Sequence, residues 1–325
     1  MTYFKSLLPI ILTLFLLLVC GYIGRKLRII DETASKKLSR LIISIGQPML
    51  IIGALNNAEY SKENLKIALW ATLIGFVMHT VLAISAFLIC RKMKDLNRAK
   101  IFEFALLFSN CGFLGFPILD SIYQSSIGSF MGAFYVISFH LFMWTWGMVI
   151  LGRQRTDIRL TPKKILLNYG TVPCAIGLTL YLLKPVFALL PPPVHTYALE
   201  PIGAFFTYLG SLCTPISVLI TGGLLATVSF RAMLRDRSLY LQSFLKLLLF
   251  PVIACLIAKL CGLSAQYILL CTVMAGLPSA ASVCIMGELY DIDPAYASQT
   301  VGITSLLVTF TLPCIMLFAQ WVISI

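Results

Sequence analysis

Charge is what this sequence has least of. Asp, Glu, Lys and Arg make up 12% of its 325 residues, whereas a soluble domain carries about 25%. Acid is scarcer still, with 13 Asp and Glu against 25 Lys and Arg, and there are only three histidines. So few ionisable groups leave little material for acid–base chemistry or a metal centre. No HExxH, no GxSxG and no spaced set of His and Asp occurs, which removes the common hydrolase and zinc signatures. The ten cysteines include no CxxC pair and lie almost all in apolar stretches, so they read as small buried hydrophobes, not as a disulfide framework or metal ligands. Nothing here calls for a cofactor.

What is present is hydrophobic length. Hydrophobic residues make up 59% of the chain, and the mean hydropathy is +0.93. Windows of roughly 20 residues predict ten spans, at 6–24, 38–56, 65–90, 101–124, 128–151, 165–184, 199–225, 239–261, 265–289 and 296–323. The fold class expected is an all-α membrane protein. The first span is expected to be a retained helix, because its basic cluster follows the apolar run, the reverse of a secretory signal. Prolines 48, 173, 215 and 251 fall inside spans and are expected to kink them.

The net charge of +12 would suit nucleic acid, but its placement argues against that partner. Nineteen basic residues fall in the loops after spans one, three, five and seven, and five fall on the other side. Lys246 lies inside the eighth span. The basic side is expected to be cytoplasmic, which puts both termini outside a multi-pass plasma-membrane protein.

Ten spans divide into five and five, with a seam near Arg153–Lys164, giving halves 1–152 and 153–325. An odd number of spans per half forces the second half to enter from the opposite side, so the repeat is expected to be inverted. Proline placement suggests the same. Pro48 and Pro117 fall in the second and fourth spans, 69 residues apart, and Pro215 and Pro278 in the seventh and ninth, 63 residues apart.

The fourth and ninth spans carry the candidate chemistry. Ser109–Pro117 (SNCGFLGFP) and Met274–Ser282 (MAGLPSAAS) are rich in Gly, Pro and small polar residues inside membrane-length apolar runs. Non-helical backbone at that depth is tolerated only where protein or a wet cavity satisfies it. Two unwound helices facing each other present free N–H groups and positive dipole ends, an anion site without fixed charge. Asn110 and Ser279 are the side chains expected to add hydrogen bonds. Gly112, Gly115 and Gly276 are expected to allow close backbone approach, either to a ligand or between helices. Cys111, Phe113, Pro117, Pro278 and Ala280 complete the two breaks, and Thr214 and Gln47, each beside a proline, are candidates for the cavity wall. His79 and His140 read as packing residues, Lys246 as snorkelling to the cytoplasmic face, Glu103 as facing headgroups, and Asp120 as solvated or coupling an ion.

The order of four stretches, Leu41–Leu50, Asn110–Pro117, Leu209–Gly222 and Pro278–Asp293 followed by Thr304-Ser305 and Thr311-Leu312-Pro313, resembles the auxin efflux carrier family of membrane transporters. Its short central loop is similar to that of bacterial members. The resemblance implies ten helices in two inverted five-helix repeats with broken, crossing fourth and ninth helices. It implies a dimerising scaffold from spans 1, 2, 6 and 7 and a transport domain from spans 3–5 and 8–10. It also implies a substrate such as a dicarboxylate, held at a crossover falling here on Asn110, Pro117 and Pro278. The function expected is a secondary or facilitative carrier for a small organic anion. A sodium-coupled symporter of the bile-acid type is the alternative.

Overall fold

The computed structural model describes residues 2–155, 167–227 and 230–325, and all of the regular structure among them is helical. Arg159, Lys163, Lys164 and the first two residues of the sixth predicted span lie outside the described residues. The helices are α1 (Thr2–Lys26), α2 (Glu32–Asn57), α3 (Lys62–Cys90), α4 (Leu96–Leu107), α5 (Cys111–Tyr123), α6 (Ile127–Gly152), α7 (Thr171–Phe187), α8 (Pro192–Thr227), a short α9 (Phe230–Arg235), α10 (Arg237–Leu260), α11 (Ala265–Gly276), α12 (Ala281–Leu289) and α13 (Pro294–Ser324). Seven of them, α1, α2, α3, α6, α8, α10 and α13, are long and apolar enough to cross a membrane. The fourth and ninth predicted spans fall short of that length because each is divided, into α4 with α5 and α11 with α12. The sixth corresponds to α7, which runs for 17 residues.

Helix starts near loops are capped in the ordinary way. Asp31 accepts from the Ala34 amide at 2.6 Å, Ser61 from Asn64 at 3.0 Å and Asp95 from Arg98 at 3.1 Å. Asp236 and Asp293 do the same for Ser238 and Tyr296. These oxygens replace partners that the first turn of a helix lacks.

Prolines explain most of the irregular turns. Four widened π-type turns, Ile42–Gly46, Cys111–Gly115, His195–Leu199 and Leu245–Leu249, each end two residues before a proline: Pro48, Pro117, Pro201 and Pro251. A proline ring collides with the carbonyl four residues earlier and cannot bond to it. Widening the preceding turn absorbs the collision and keeps the helix running. Pro173, expected to kink the sixth span, sits in the first turn of α7, where its missing N–H costs nothing; Pro185 is the proline inside that helix.

A single shift of 170 residues, the step from Ser109 to Ser279, relates the two halves. It carries the end of α2 onto the end of α8, the end of α3 onto the end of α10, and the start of α5 onto the start of α12. The proline pairing expected from the sequence does not follow this register. Pro278 corresponds to Phe108, and Pro117 to Gly287. Pro48 and Pro215 lie on corresponding helices at different positions, whereas Pro278 lies in the break between α11 and α12 and Pro117 on α5.

Glycines mark the closest packing. A Cβ on Gly21 would lie 2.0 Å from the Leu219 carbonyl oxygen, and one on Gly222 would lie 2.0 Å from that of Leu18, so α1 and α8 touch backbone to backbone. Gly177 of α7 sits against Ile52 and Leu55 of α2, and Gly75 of α3 against Ser138 of α6. The helices α1, α2, α7 and α8 thus pack mainly among themselves, and the rest assemble around the two breaks.

Candidate functional site

The breaks between α4 and α5 and between α11 and α12 meet. Ser109 and Ser279 form an isolated antiparallel bridge. The Asn110 amide donates to the Pro278 carbonyl at 2.8 Å, and the Ala280 amide to the Phe108 carbonyl at 2.9 Å. The 170-residue shift exchanges these two bonds, so the crossing is a local two-fold. Each extended segment satisfies the other's backbone, which is the condition for unwinding a helix among apolar neighbours.

Four helix ends converge at this crossing. Those of α5 and α12 are N-termini, and neither has a side-chain cap. Ala280 cannot cap. Asn110 is among the best capping residues, yet its side chain does not cap α5. Its carboxamide has no hydrogen bond to any described residue, and although Asn110 is only 6% exposed it lines a cavity. That cavity lies between α1 and α8 on one side and α5 and α13 on the other, with walls that include Leu14, Leu18, Leu114 and Leu312. Its other polar walls are Thr221, Ser305 and Thr309. Ser305 and Thr309 are one turn apart on α13 and share a face. The Ser305 hydroxyl is buried without a partner.

The carbonyl end of α4 is closed differently. Lys246 is fully buried and donates from Nζ to the Leu106 carbonyl at 2.7 Å. Ser279 donates to the Ala105 carbonyl at 3.1 Å and accepts from Gln242 Nε2 at 3.0 Å, while its amide donates to Thr304 Oγ1 at 3.2 Å. The Ser279 hydroxyl is therefore committed inside the protein. Lys246 does not snorkel, because the nearest satisfaction for its ammonium is the negative end of a helix that stops in mid-bundle.

The remaining candidates divide. Gly112 alone of the three glycines faces open space, with nothing within 4 Å of an added Cβ. Gly115 packs on Leu277 and Met274 of the other break, and Gly276 on Pro251, so both serve helix contact. Cys111 is buried at the start of α5. Phe113 packs with Ile42 and Cys213. Thr214 donates to the Phe113 carbonyl at 2.8 Å, the very carbonyl that Pro117, four residues later, cannot bond. Pro117 itself lies on α5 past the π turn and away from the bridge. Gln47 Nε2 is 2.8 Å from His140 Nε2, joining α2 to α6.

Two expectations, those for Glu103 and Asp120, are corrected by their partners, while His79 packs as expected. Glu103 is fully buried and paired with Arg153 through both carboxylate oxygens. Asp120 is neither solvated nor free; it accepts from the Ser129 amide at 2.6 Å and from the Ser129 hydroxyl, bracing the first turn of α6. His79 is held by the Gly75 carbonyl at 2.8 Å and the Ser138 hydroxyl at 3.1 Å. Sequence reasoning passed over Gln242, Ser305 and Thr309. Ser305 belongs to the Thr304-Ser305 stretch of the resemblance, but a serine in a membrane helix bonds so readily to its own backbone that only the fold shows this hydroxyl is unspent.

Two broken helices crossing inside an apolar helical bundle, beside a cavity with unspent polar groups, define a multi-pass membrane transporter. Sequence comparison gives the family. The profile described as membrane transport protein matches residues 6–165 and 159–316, and the chain belongs to this auxin efflux carrier-type family. An uncharacterized transporter of Methanothermobacter thermautotrophicus is 24% identical over 310 residues, 93% of this chain and 95% of that protein. The mouse lysosomal cholesterol signaling protein is 25% identical over 133 residues, 41% of this chain. That match spans only 15% of the mouse protein's length.

Proposed function

We propose that this protein is a carrier, secondary active or facilitative, which moves a small organic anion across the plasma membrane by alternating access, with the anion held beside the crossing. The observation that carries the reading is Asn110. Its carboxamide lines the cavity and keeps its donor and acceptor for whatever enters, and it stands at an uncapped helix N-terminus. An anion would accept from the carboxamide and from the first amides of α5. Ser305 and Thr309 supply hydroxyl donors from α13. A dicarboxylate suits this arrangement, one carboxylate at Asn110 and α5 and the other at the α13 hydroxyls.

In this reading the chain crosses the membrane ten times as two inverted five-helix repeats, with both termini outside. Support comes from the 170-residue register, the two-fold at the crossing and the basic loops. Helices α1, α2, α7 and α8 form the scaffold, and a second copy of the chain covers part of its apolar face. Helices α3–α6 and α10–α13 form the moving domain, sliding as an elevator. The cavity lies between the two groups, where such a motion would expose it to each side in turn.

The test is counterflow of labelled malate or malonate into proteoliposomes preloaded with unlabelled anion. Saturable counterflow is the expected result. Its absence across a panel of small mono- and dicarboxylates, or a flux that never saturates, would remove the carrier reading.

A further inference from the structure

Lys246 is a fully buried cation at the crossing, and the reading above does not use it to touch the substrate. Its ammonium is 0% exposed, and among the described residues no carboxylate pairs with it. An uncompensated ammonium in a membrane protein is expensive to bury. What compensates it is oxygen. Nζ donates to the Leu106 carbonyl at the C-terminal end of α4, where the helix dipole is negative. Gln242 and Ser243 precede Lys246 by four and three residues on α10, so they share its face. Gln242 Oε1 and Ser243 Oγ are both buried without a partner.

A half-helix carbonyl end is the kind of place that binds sodium in carriers with broken helices, and here the Leu106 carbonyl is the oxygen that meets Nζ. The place already contains a positive charge. The fold does not demand one. The 170-residue shift carries Leu106 onto Gly276 and relates Lys246 to Phe76, a ring packed 6.4 Å from Phe142. The second break therefore manages its carbonyl end without a cation.

We infer that Lys246 is a tethered substitute for a co-transported cation: its ammonium fills the site a sodium ion would take, and the carrier binds its anion without sodium. The inference deepens the carrier reading and rests on it for the identity of the anion. It rests on the lysine's surroundings alone for the cation site. A single lysine charge beside the crossing also balances one negative charge of the substrate.

The experiment separates the two claims by reading stability apart from transport. Purified wild type and Lys246→Ala are melted in detergent at constant ionic strength in choline, sodium or methylammonium chloride. Wild type is expected to melt at the same temperature in all three. Lys246→Ala is expected to melt lower in choline and to recover by about 3 °C or more in sodium or methylammonium, as a vacated site binds the free cation. Should the alanine variant fail to fold, Lys246→Gln, which keeps a donor for Leu106 without the charge, is read in the same way. A sodium-specific rise in the wild type would overturn the inference, and so would variants indifferent to every cation. Wild-type uptake in sodium-free buffer is the companion measurement. If no anion is taken up under any condition, the carrier reading fails while the melting result still decides the cation site.

Discussion

At the scale of single residues, the site divides into groups that are spent and groups that are not. Asn110 is unspent. Asn110→Leu removes its hydrogen bonds to the anion, each worth about 1.5–3 kcal/mol when the acceptor is charged, so affinity should fall roughly 10- to 150-fold at unchanged thermal stability. Ser305→Ala should weaken binding in the same direction, read by titration of the purified protein. Gly112→Ala separates site from scaffold. Its new methyl meets nothing within 4 Å, so the melting temperature should hold while transport falls. The same change at Gly128, where a Cβ would lie 2.4 Å from the Leu119 backbone, should cost folding itself. The sequence alone pointed to Asn110, because an asparagine beside Gly and Pro in an apolar run has few structural uses. It did not show the partners of Ser279, Glu103 and Lys246, because these lie 50 to 174 residues away and no local pattern records them.

At the scale of helices, proline and the carbonyl it orphans form the unit. Pro117 cannot bond the Phe113 carbonyl, and Thr214 of α8 bonds it instead. Thr214→Val should leave that carbonyl unpaired among apolar neighbours, at a cost of about 1–3 kcal/mol in thermal or denaturant unfolding. Pro117→Ala should act on function more than on stability. It restores an N–H for Phe113, lets the widened turn close, and rotates Asn110 away from the cavity. Loss of uptake with a preserved melting temperature would show this; an inactive, unfolded variant would not. Arg153→Ala tests the buried pair. Glu103 would keep its charge with nothing to answer it, and breaking such a pair costs about 3–5 kcal/mol, less whatever water reaches the 25% exposed Arg153 side. Which helices break was legible from Gly and Pro clusters. Where they break was legible to within those clusters: the bridge joins Ser109 to Ser279, inside Ser109–Pro117 and Met274–Ser282, but the sequence did not show that Pro117 would lie on α5 and not in the break.

At the scale of the whole molecule, the account is one of two helix groups with a cavity between them. The count of ten crossings was read from hydropathy, and the long helices agree with seven of them; the others are the divided fourth and ninth and the 17-residue α7. A cysteine at Asn57 should react with an impermeant reagent from outside, and one at Asn97 only after permeabilisation; the opposite pattern would invert the topology. His140 is bound to Gln47 across α6 and α2, so it reports on the contact between the groups and not on the anion. The most direct test of the central claim is counterflow of the best dicarboxylate in proteoliposomes holding equal amounts of folded wild type, Asn110→Leu and His140→Ala. The account predicts saturable counterflow in wild type, a raised half-saturation concentration or no flux in Asn110→Leu, and measurable transport in His140→Ala. Normal counterflow in Asn110→Leu together with silence in His140→Ala would contradict it and move the site from the crossing to the histidine.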